Sequence, residues 1–287
     1  MPELGQRPTP RNQFSFSRVQ TYHHFPLRYR YRSLKGFKED FRSIESYLGN
    51  IVHDVLEWMY EERERSESPS LESALQLLAD RWTAGLNEEI TVIRGSDRVD
   101  AYLITGREML ERFHKGTFRT DRSRTNALEQ RLNHKRPDEI VFTGFADRIG
   151  RTETGRLFVV DYKTSKKEGD ASEFSEGLQA PLYAACAMRS YDDDEALAGY
   201  HYLRHESTSW QSVDTDRAQQ LLDRFQQLAA EVNSATEFEP RPGILCAWCG
   251  FNAICRSAEV PEKLSGGLEK AREFQDRKPS LFEKDSQ

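Results

Sequence analysis

Between Ile44 and Arg65, apolar residues recur at three- and four-residue steps: Ile44, Leu48, Ile51, Val55 and Met59. That is the spacing of one buried helical face. The breaker "SESPS" follows, and similar stretches near 70–90 ("LESALQLLADRW") and 97–116 ("DRVDAYLITGREMLERFHK") predict two more helices. From about Ala127 the pattern changes. "ALEQRLNHK", "IVFTGFADRIG" and "GRLFVVDYKT" read as strands, the last two joined by the turn-rich "RTETG". A helix from about Glu173 to Ser190 comes next, then "GYHYLRHE" as a strand paired with "TSWQSVD". "TDRAQQLLDRFQQLAAEV" is an amphipathic helix with an aspartate-type start. Helices first and strands mixed with helices afterwards predict an α+β, or mixed α/β, core behind a helical region.

Composition narrows this picture. With 287 residues, 37% hydrophobic and 31% charged, the chain can bury a proper core and still carry much solvated surface. The formal charge of −6 argues against a protein coated in basic surface, although a local patch can bind phosphates within an acidic whole. Such a patch lies near the N-terminus. Arg7, Arg11, Arg18, Arg28, Arg30, Arg32, Lys35 and Lys38 face only Glu3, Glu39 and Asp40 in "FSFSRVQTYHHFPLRYRYRSL" and its flanks. There is no apolar leader and no apolar run of membrane-spanning length, so a cytoplasmic location is expected.

The candidate chemistry sits at the end of "LFVVDYK". Side chains two apart in a strand share a face, so Asp161 and Lys163 point one way and Tyr162 the other. If the hairpin turns around Glu153 and Thr154, Asp147 falls almost opposite Asp161. Two adjacent carboxylates need a neutralising partner, and hard oxygen ligands suit Mg2+ or Mn2+. Lys163 would then stabilise charge on a phosphate oxygen or orient a water. An isolated D-x-K is more often a surface ion pair at a sheet end.

Here it is not isolated. "GFADRIG" followed by "FVVDYKTSK" resembles motifs II and III of the PD-(D/E)XK nuclease superfamily, in particular its RecB-like branch with the AddB subunit and CRISPR-associated exonucleases. "GNIVHDVLEW" resembles the helical motif I, and "QAPLY" the Q-x-x-x-Y element. "RPGILCAWCGFNAIC" resembles the C-terminal C-x2-C-x5-C of the iron–sulfur members, and "FSFSRVQTYHHFPLRYRYRSL" the N-terminal Y-x-x-C-P-x-x-Y segment. The match runs in family order from about Phe14 to Cys255. The resemblance implies a restriction-endonuclease-like core. It also implies a metal held by Asp147, Asp161, His53 and the Tyr162 carbonyl, with Lys163 at the attacking water. Gln179 and Tyr183, four apart on one helical face, would orient the DNA end, and Arg28 and Arg30 would contact phosphates while tyrosines stack on bases. Cys186 reads as a small buried hydrophobe.

Cys246, Cys249 and Cys255 form a compact chelate suited to a soft metal. The resemblance implies a 4Fe–4S cluster completed by an N-terminal cysteine, but "YHHFP" carries Phe25 there. Three outcomes stay open: a cluster completed by His23 or His24, a zinc on three cysteines and one of those histidines, or no metal, with Phe25 packing in its place.

The expected organisation is a lead at 1–13, a basic-aromatic and helical region at 14–126, the nuclease core at 127–240, the cysteine cluster at 241–257 and a charged tail at 258–287. The expected activity is metal-dependent hydrolysis of DNA, exonucleolytic at ends or single strands, in repair, recombination or phage and CRISPR-type defence. A non-catalytic DNA-binding or scaffold subunit of a helicase–nuclease complex is the alternative, and retention of every acidic-site position weighs against it. A zinc-dependent DNA-binding regulator would leave Asp161 and Lys163 unexplained. With no G-x-x-x-x-G-K-[ST] loop in the sequence, ATP hydrolysis would come from a helicase partner. Leu281 and Phe282 in the tail form an apolar pair that could dock on a sliding clamp.

Overall fold

Leu157, Phe158, Val159 and Val160 are all buried, and the strand they form is covered on both faces. Leu157 and Val159 pack into one hydrophobic cluster, while Phe158, Val160 and Tyr162 pack into a second. An unbroken apolar run is what a strand between two helical layers requires. The computed structural model describes residues 12–65, 68–93, 98–135, 140–166, 168 and 177–257. The lead through Arg11, residues 173–176 of the helix expected from Glu173, and the tail with Leu281 and Phe282 lie outside the described residues.

The elements run β1 (Gln13–Phe14), α1 (Phe16–His24), α2 (Pro26–Tyr29), β2 (Arg42–Ser43), α3 (Ile44–Arg65), α4 (Leu71–Gly85), β3 (Ile90–Thr91) and α5 (Val99–Phe113). Then come β4 (Arg124–Lys135), β5 (Val141–Arg151), β6 (Leu157–Lys163), α6 (Gln179–Tyr191), β7 (Glu195–Tyr202), β8 (Ser207–Asp214), α7 (Thr215–Ser234) and α8 (Asn252–Ser257). The main sheet has the order β1-β5-β6-β7-β8, with β4 also on β5. It is mixed: β4–β5, β5–β6 and β7–β8 are antiparallel, whereas β6 and β7 are parallel and joined through α6. Helices α6 and α7 cover one face, and α3, α4 and α5 the other.

The helical face read from Ile44 to Met59 is buried at every expected position. The β5–β6 hairpin turns at residues 152–156, where Gly155 takes φ +84°, a conformation only glycine adopts freely. Asp214 caps α7 by accepting from the Arg217 amide at 2.8 Å. Some boundaries differ from expectation: β4 starts at Arg124 and β7 at Glu195, each ahead of the stretch read as a strand. Helix α6 begins at Gln179, and β7 ends at Tyr202, because "LRHE" forms the turn into β8, with Glu206 at φ +53°.

The N-terminal aromatics pack inward. Tyr29 is buried, Tyr22 meets it edge-on, and Tyr31 stacks on Phe37. Arg18 is also buried, donating to the Tyr29 hydroxyl at 3.2 Å and lying over the Phe14 ring. This part of the basic-aromatic segment is held in the core rather than offered to phosphates.

Candidate metal centre

The site assembles where the middle of β4 and β5 and the end of β6 meet α3 and α6. Antiparallel pairing sets Arg148 across from Val160, which places Asp147 opposite Asp161 as the hairpin predicts. Beyond that pair the Asp147 carboxylate takes over as acceptor, receiving the Tyr162 amide on Oδ2 at 2.7 Å. The same oxygen lies 3.4 Å from Nδ1 of His53 on α3. Gly49, one turn earlier on α3, allows this approach: a Cβ there would stand 3.3 Å from Thr164 Oγ1, just past Lys163.

Asp161 is 4% exposed and pairs with Lys163 Nζ at 2.6 Å. Gln179, the first residue of α6, closes the group. Its Nε2 donates to Asp161 Oδ1 at 2.9 Å, and its Oε1 accepts from Lys163 Nζ at 3.0 Å. Tyr183, one turn on, is buried against Gly144 of β5, where a Cβ would stand 2.7 Å from its ring. Burial, and then Asp161, raise the Tyr183 hydroxyl above its ordinary range, so the phenol stays neutral.

One residue was missed in the sequence. Glu129 of β4 sits between the pairs Leu128–Arg148 and Gln130–Ala146, and so faces Asp147. His53, Glu129 and Asp147 bring one ligand atom each to within 4.8 Å of one another, a trio unique among the described residues. Glu129 holds φ +43° in mid-strand, a conformation that costs a non-glycine residue about 1–3 kcal/mol. "ALEQRL" carries no motif that singles it out; only counting strand register back from Asp147 would have found it.

The electrostatics are those of a crowded anionic site. Burial pushes the Asp161 carboxyl up to about 6, against the pull of Lys163 and with a further push from Asp147. Burial and Asp147 raise Glu129 to about 7, His53 opposing. Burial works against the His53 imidazolium, yet Asp147, Asp161 and Glu129 together raise it to about 9. The two carboxylates and the imidazole of the His53, Glu129 and Asp147 trio, with Asp161 acting on them electrostatically, fit a divalent cation, which would relieve the crowding of negative charge.

Arg28 and Arg30 are not among the residues around this cluster. Arg28 forks onto Glu39, with Nη2 at 2.9 and 3.1 Å from the two carboxylate oxygens, and Arg30 lies over the Phe238 ring. Cys246, Cys249 and Cys255 line a separate small cavity with Phe25, Arg28 and Phe251; neither His23 nor His24 lines it. Burial raises the Cys249 thiol, with Arg28 opposing, and raises Cys255 to about 11, with Cys249 and Cys246 adding to the shift. Cys186 is buried on α6, as its reading as a small hydrophobe expects.

The sequence pattern of the PD-(D/E)XK nuclease superfamily matches residues 13–256, which include every element of this site. The chain belongs to the PD-(D/E)XK nuclease superfamily. Its mixed sheet with helices on both faces is the restriction-endonuclease-like fold of that superfamily, whose members are nucleases that use divalent metals. No curated protein matches the sequence significantly. Among solved structures, one titled "Crystal structure of SSO0001" aligns over 88% of this chain and 90% of its own, at 17% identity and a TM-score of 0.38, too distant to carry an argument. Among the described residues of this PD-(D/E)XK chain, no helix is long and apolar enough to cross a membrane.

Proposed function

We propose that this PD-(D/E)XK chain is a divalent-metal-dependent deoxyribonuclease of the RecB-like kind, acting on DNA ends or single strands, with Mg2+ or Mn2+ as its cation. The observation that carries the reading is the pairing of Asp147 with His53 at 3.4 Å beside that of Asp161 with Lys163 at 2.6 Å. Asp147, Asp161 and His53 would hold the metal, with Glu129 alongside and the Tyr162 carbonyl available. A cation bound there supplies Lewis-acid polarisation of the phosphate and a more acidic water.

The protein's own groups do the rest. Lys163, steered by Gln179 and Asp161, donates to the attacking water or to a phosphate oxygen. The Asp161 carboxylate keeps that ammonium in place. Gln179 fixes both groups, and the buried Tyr183 backs α6 against β5. DNA repair, recombination or defence, alongside a helicase that supplies ATP hydrolysis, is the setting this chemistry serves.

The test is cleavage of end-labelled single- and double-stranded DNA with Mg2+ or Mn2+, beside Asp161→Ala and Lys163→Ala. Loss of cleavage in both variants with the fold retained is expected, and Mn2+ binding should weaken only for Asp161→Ala. Wild-type cleavage by either variant refutes the assignment. A wild-type protein that binds DNA but never cleaves it returns the reading to a scaffold subunit.

A further inference from the structure

A groove of about 690 Å3 opens beside the N-terminal half of α3, next to the cysteine cavity, with which it shares Arg28. Its α3 wall runs along the helix toward the metal centre. Ser46 and Asn50 line it, and with His53 they follow the i, i+4, i+7 spacing that places side chains on one helical face. From Ser46 to His53 the helix axis advances only about 10 Å. The groove therefore ends one turn from the histidine that contacts Asp147.

Its charge is opposite in sign to that of the whole chain. Arg28, Arg32, Lys38 and Arg42 face two carboxylates, Glu39 and Glu89. The Glu39 carboxylate is already taken by the Arg28 fork, so Arg32, 3.6 Å away and 62% exposed, keeps its charge facing solvent. Lys38 pairs with Glu89 at the rim. Arg42 donates to the Ser46 carbonyl at 3.2 Å, which holds its guanidinium along the groove.

The far wall is aromatic. Trp248, half-buried between two of the cysteines, packs beside Phe41, Ile93 and Ala247 and lines the groove. That wall is fixed tightly. The Asp40 amide donates to the Gly250 carbonyl at 3.0 Å, and a Cβ on Gly250 would stand 2.8 Å from the Phe41 carbonyl oxygen.

From this arrangement we infer that the groove is the track along which a single DNA strand reaches the metal centre. Arg32 and Arg42 contact phosphates, Ser46 and Asn50 donate along α3, and Trp248 stacks on a base. Exposed cations, short polar donors and one aromatic wall are what a single strand, with its bases unpaired, can use at once. The cysteine segment thereby gains a role that does not depend on whether it holds a metal: it presents Trp248. The inference rests on the nuclease reading for its substrate, and its test is independent of cleavage.

The full-length protein, free of divalent metal, is titrated with a fluorescent single-stranded oligonucleotide across a salt series, and with a blunt duplex of the same length. Arg32→Ala and Arg42→Ala are each expected to flatten the slope of log affinity against log salt by about 0.7. Trp248→Ala should weaken single-strand binding roughly tenfold, with Trp248→Phe recovering most of it. If Trp248→Ala fails to fold, the arginine variants decide alone. Unchanged affinity and slope in both arginine variants overturn the inference, as does a larger loss on duplex than on single strand. A protein that binds strands through this groove yet cleaves nothing leaves the inference standing and overturns the nuclease reading. A protein that cleaves DNA while the variants bind as wild type does overturns the inference alone.

Discussion

Gln179 stands between Asp161 and Lys163, donating to the first at 2.9 Å and accepting from the second at 3.0 Å. Because Gln179 opens α6, the crossover helix between β6 and β7, the fold itself fixes how the acid and the ammonium are aimed. An amide suits this place because it donates and accepts at once without adding charge.

Gln179→Leu keeps the bulk and removes both bonds. Cleavage should fall on the order of 10- to 100-fold without being abolished, the range for loss of a group that orients a metal ligand. Gln179→Glu sets a further carboxylate against Asp161 and should be worse than the leucine. The measurement is kcat/KM for DNA cleavage with its pH profile; equal activity in wild type and Gln179→Leu would show that the contact is incidental.

Glu129 makes a stability prediction. Its carboxyl is raised to about 7, burial first and Asp147 second, so the ionised form opposes folding in the metal-free protein. That cost is absent below the unfolded value near 4.5 and fully present once pH exceeds 7. Glu129→Gln should therefore stabilise the metal-free protein at pH 8 by roughly 1 kcal/mol, allowing for solvent screening, and give no gain near pH 4.5. Thermal melts in chelator at the two pH values check this, and a loss of stability at pH 8 would contradict it.

Much of this was legible in the chain. The helical face of α3, the hairpin at 152–156 and the opposition of Asp147 and Asp161 all follow from side-chain period and turn chemistry, which act locally. Glu129 was not legible, because its role depends on the register of a third strand. The arginine-rich segment was only partly legible for a related reason. Sequence shows Arg18 and Arg28 as cations but not that Tyr29 and Glu39 will meet them, since those pairings depend on how α1 and α2 fold back. Residues 14–38 therefore turn Tyr29 and Arg18 inward, while Arg30, Arg32, Lys35 and Lys38 stay exposed.

Arg148, beside Asp147 in β5, faces the opposite layer and serves the fold. It is 3% exposed, lies over the Tyr60 ring at 3.7 Å and donates to Asp121 at 2.8 Å and Ser123 at 2.7 Å. Burial acts to raise the Asp121 carboxyl, but Arg148 and Ser123 outweigh it and hold it below its ordinary value. Arg148→Met leaves Asp121 without this partner and should cost roughly 3 kcal/mol, read from denaturant midpoints. A depressed carboxyl stabilises above its unfolded value near 3.8 and loses that contribution as pH falls through the lower folded value. The gap between wild type and variant should narrow below pH 4, and a gap constant down to pH 2 would rule the pairing out as its source.

Metal binding should release protons, and its pH dependence follows from the crowding at Asp147. Without a cation His53 is held protonated up to about 9, Glu129 to about 7 and Asp161 to about 6. An imidazole must lose its proton to become a ligand, and a carboxylate must be ionised. Raising the pH therefore removes competitors, and Mn2+ affinity should climb from pH 6 to pH 9. The climb is about tenfold per pH unit for each proton displaced across that range. Below pH 8 the His53 proton supplies most of the climb, so His53→Ala should bind more weakly at pH 9 yet depend on pH less steeply. Calorimetric titration in two buffers of different ionisation enthalpy counts the protons directly. Identical heats in both buffers, or affinity flat between pH 6 and 9, would mean that the cation binds without displacing protons from His53, Glu129 and Asp161.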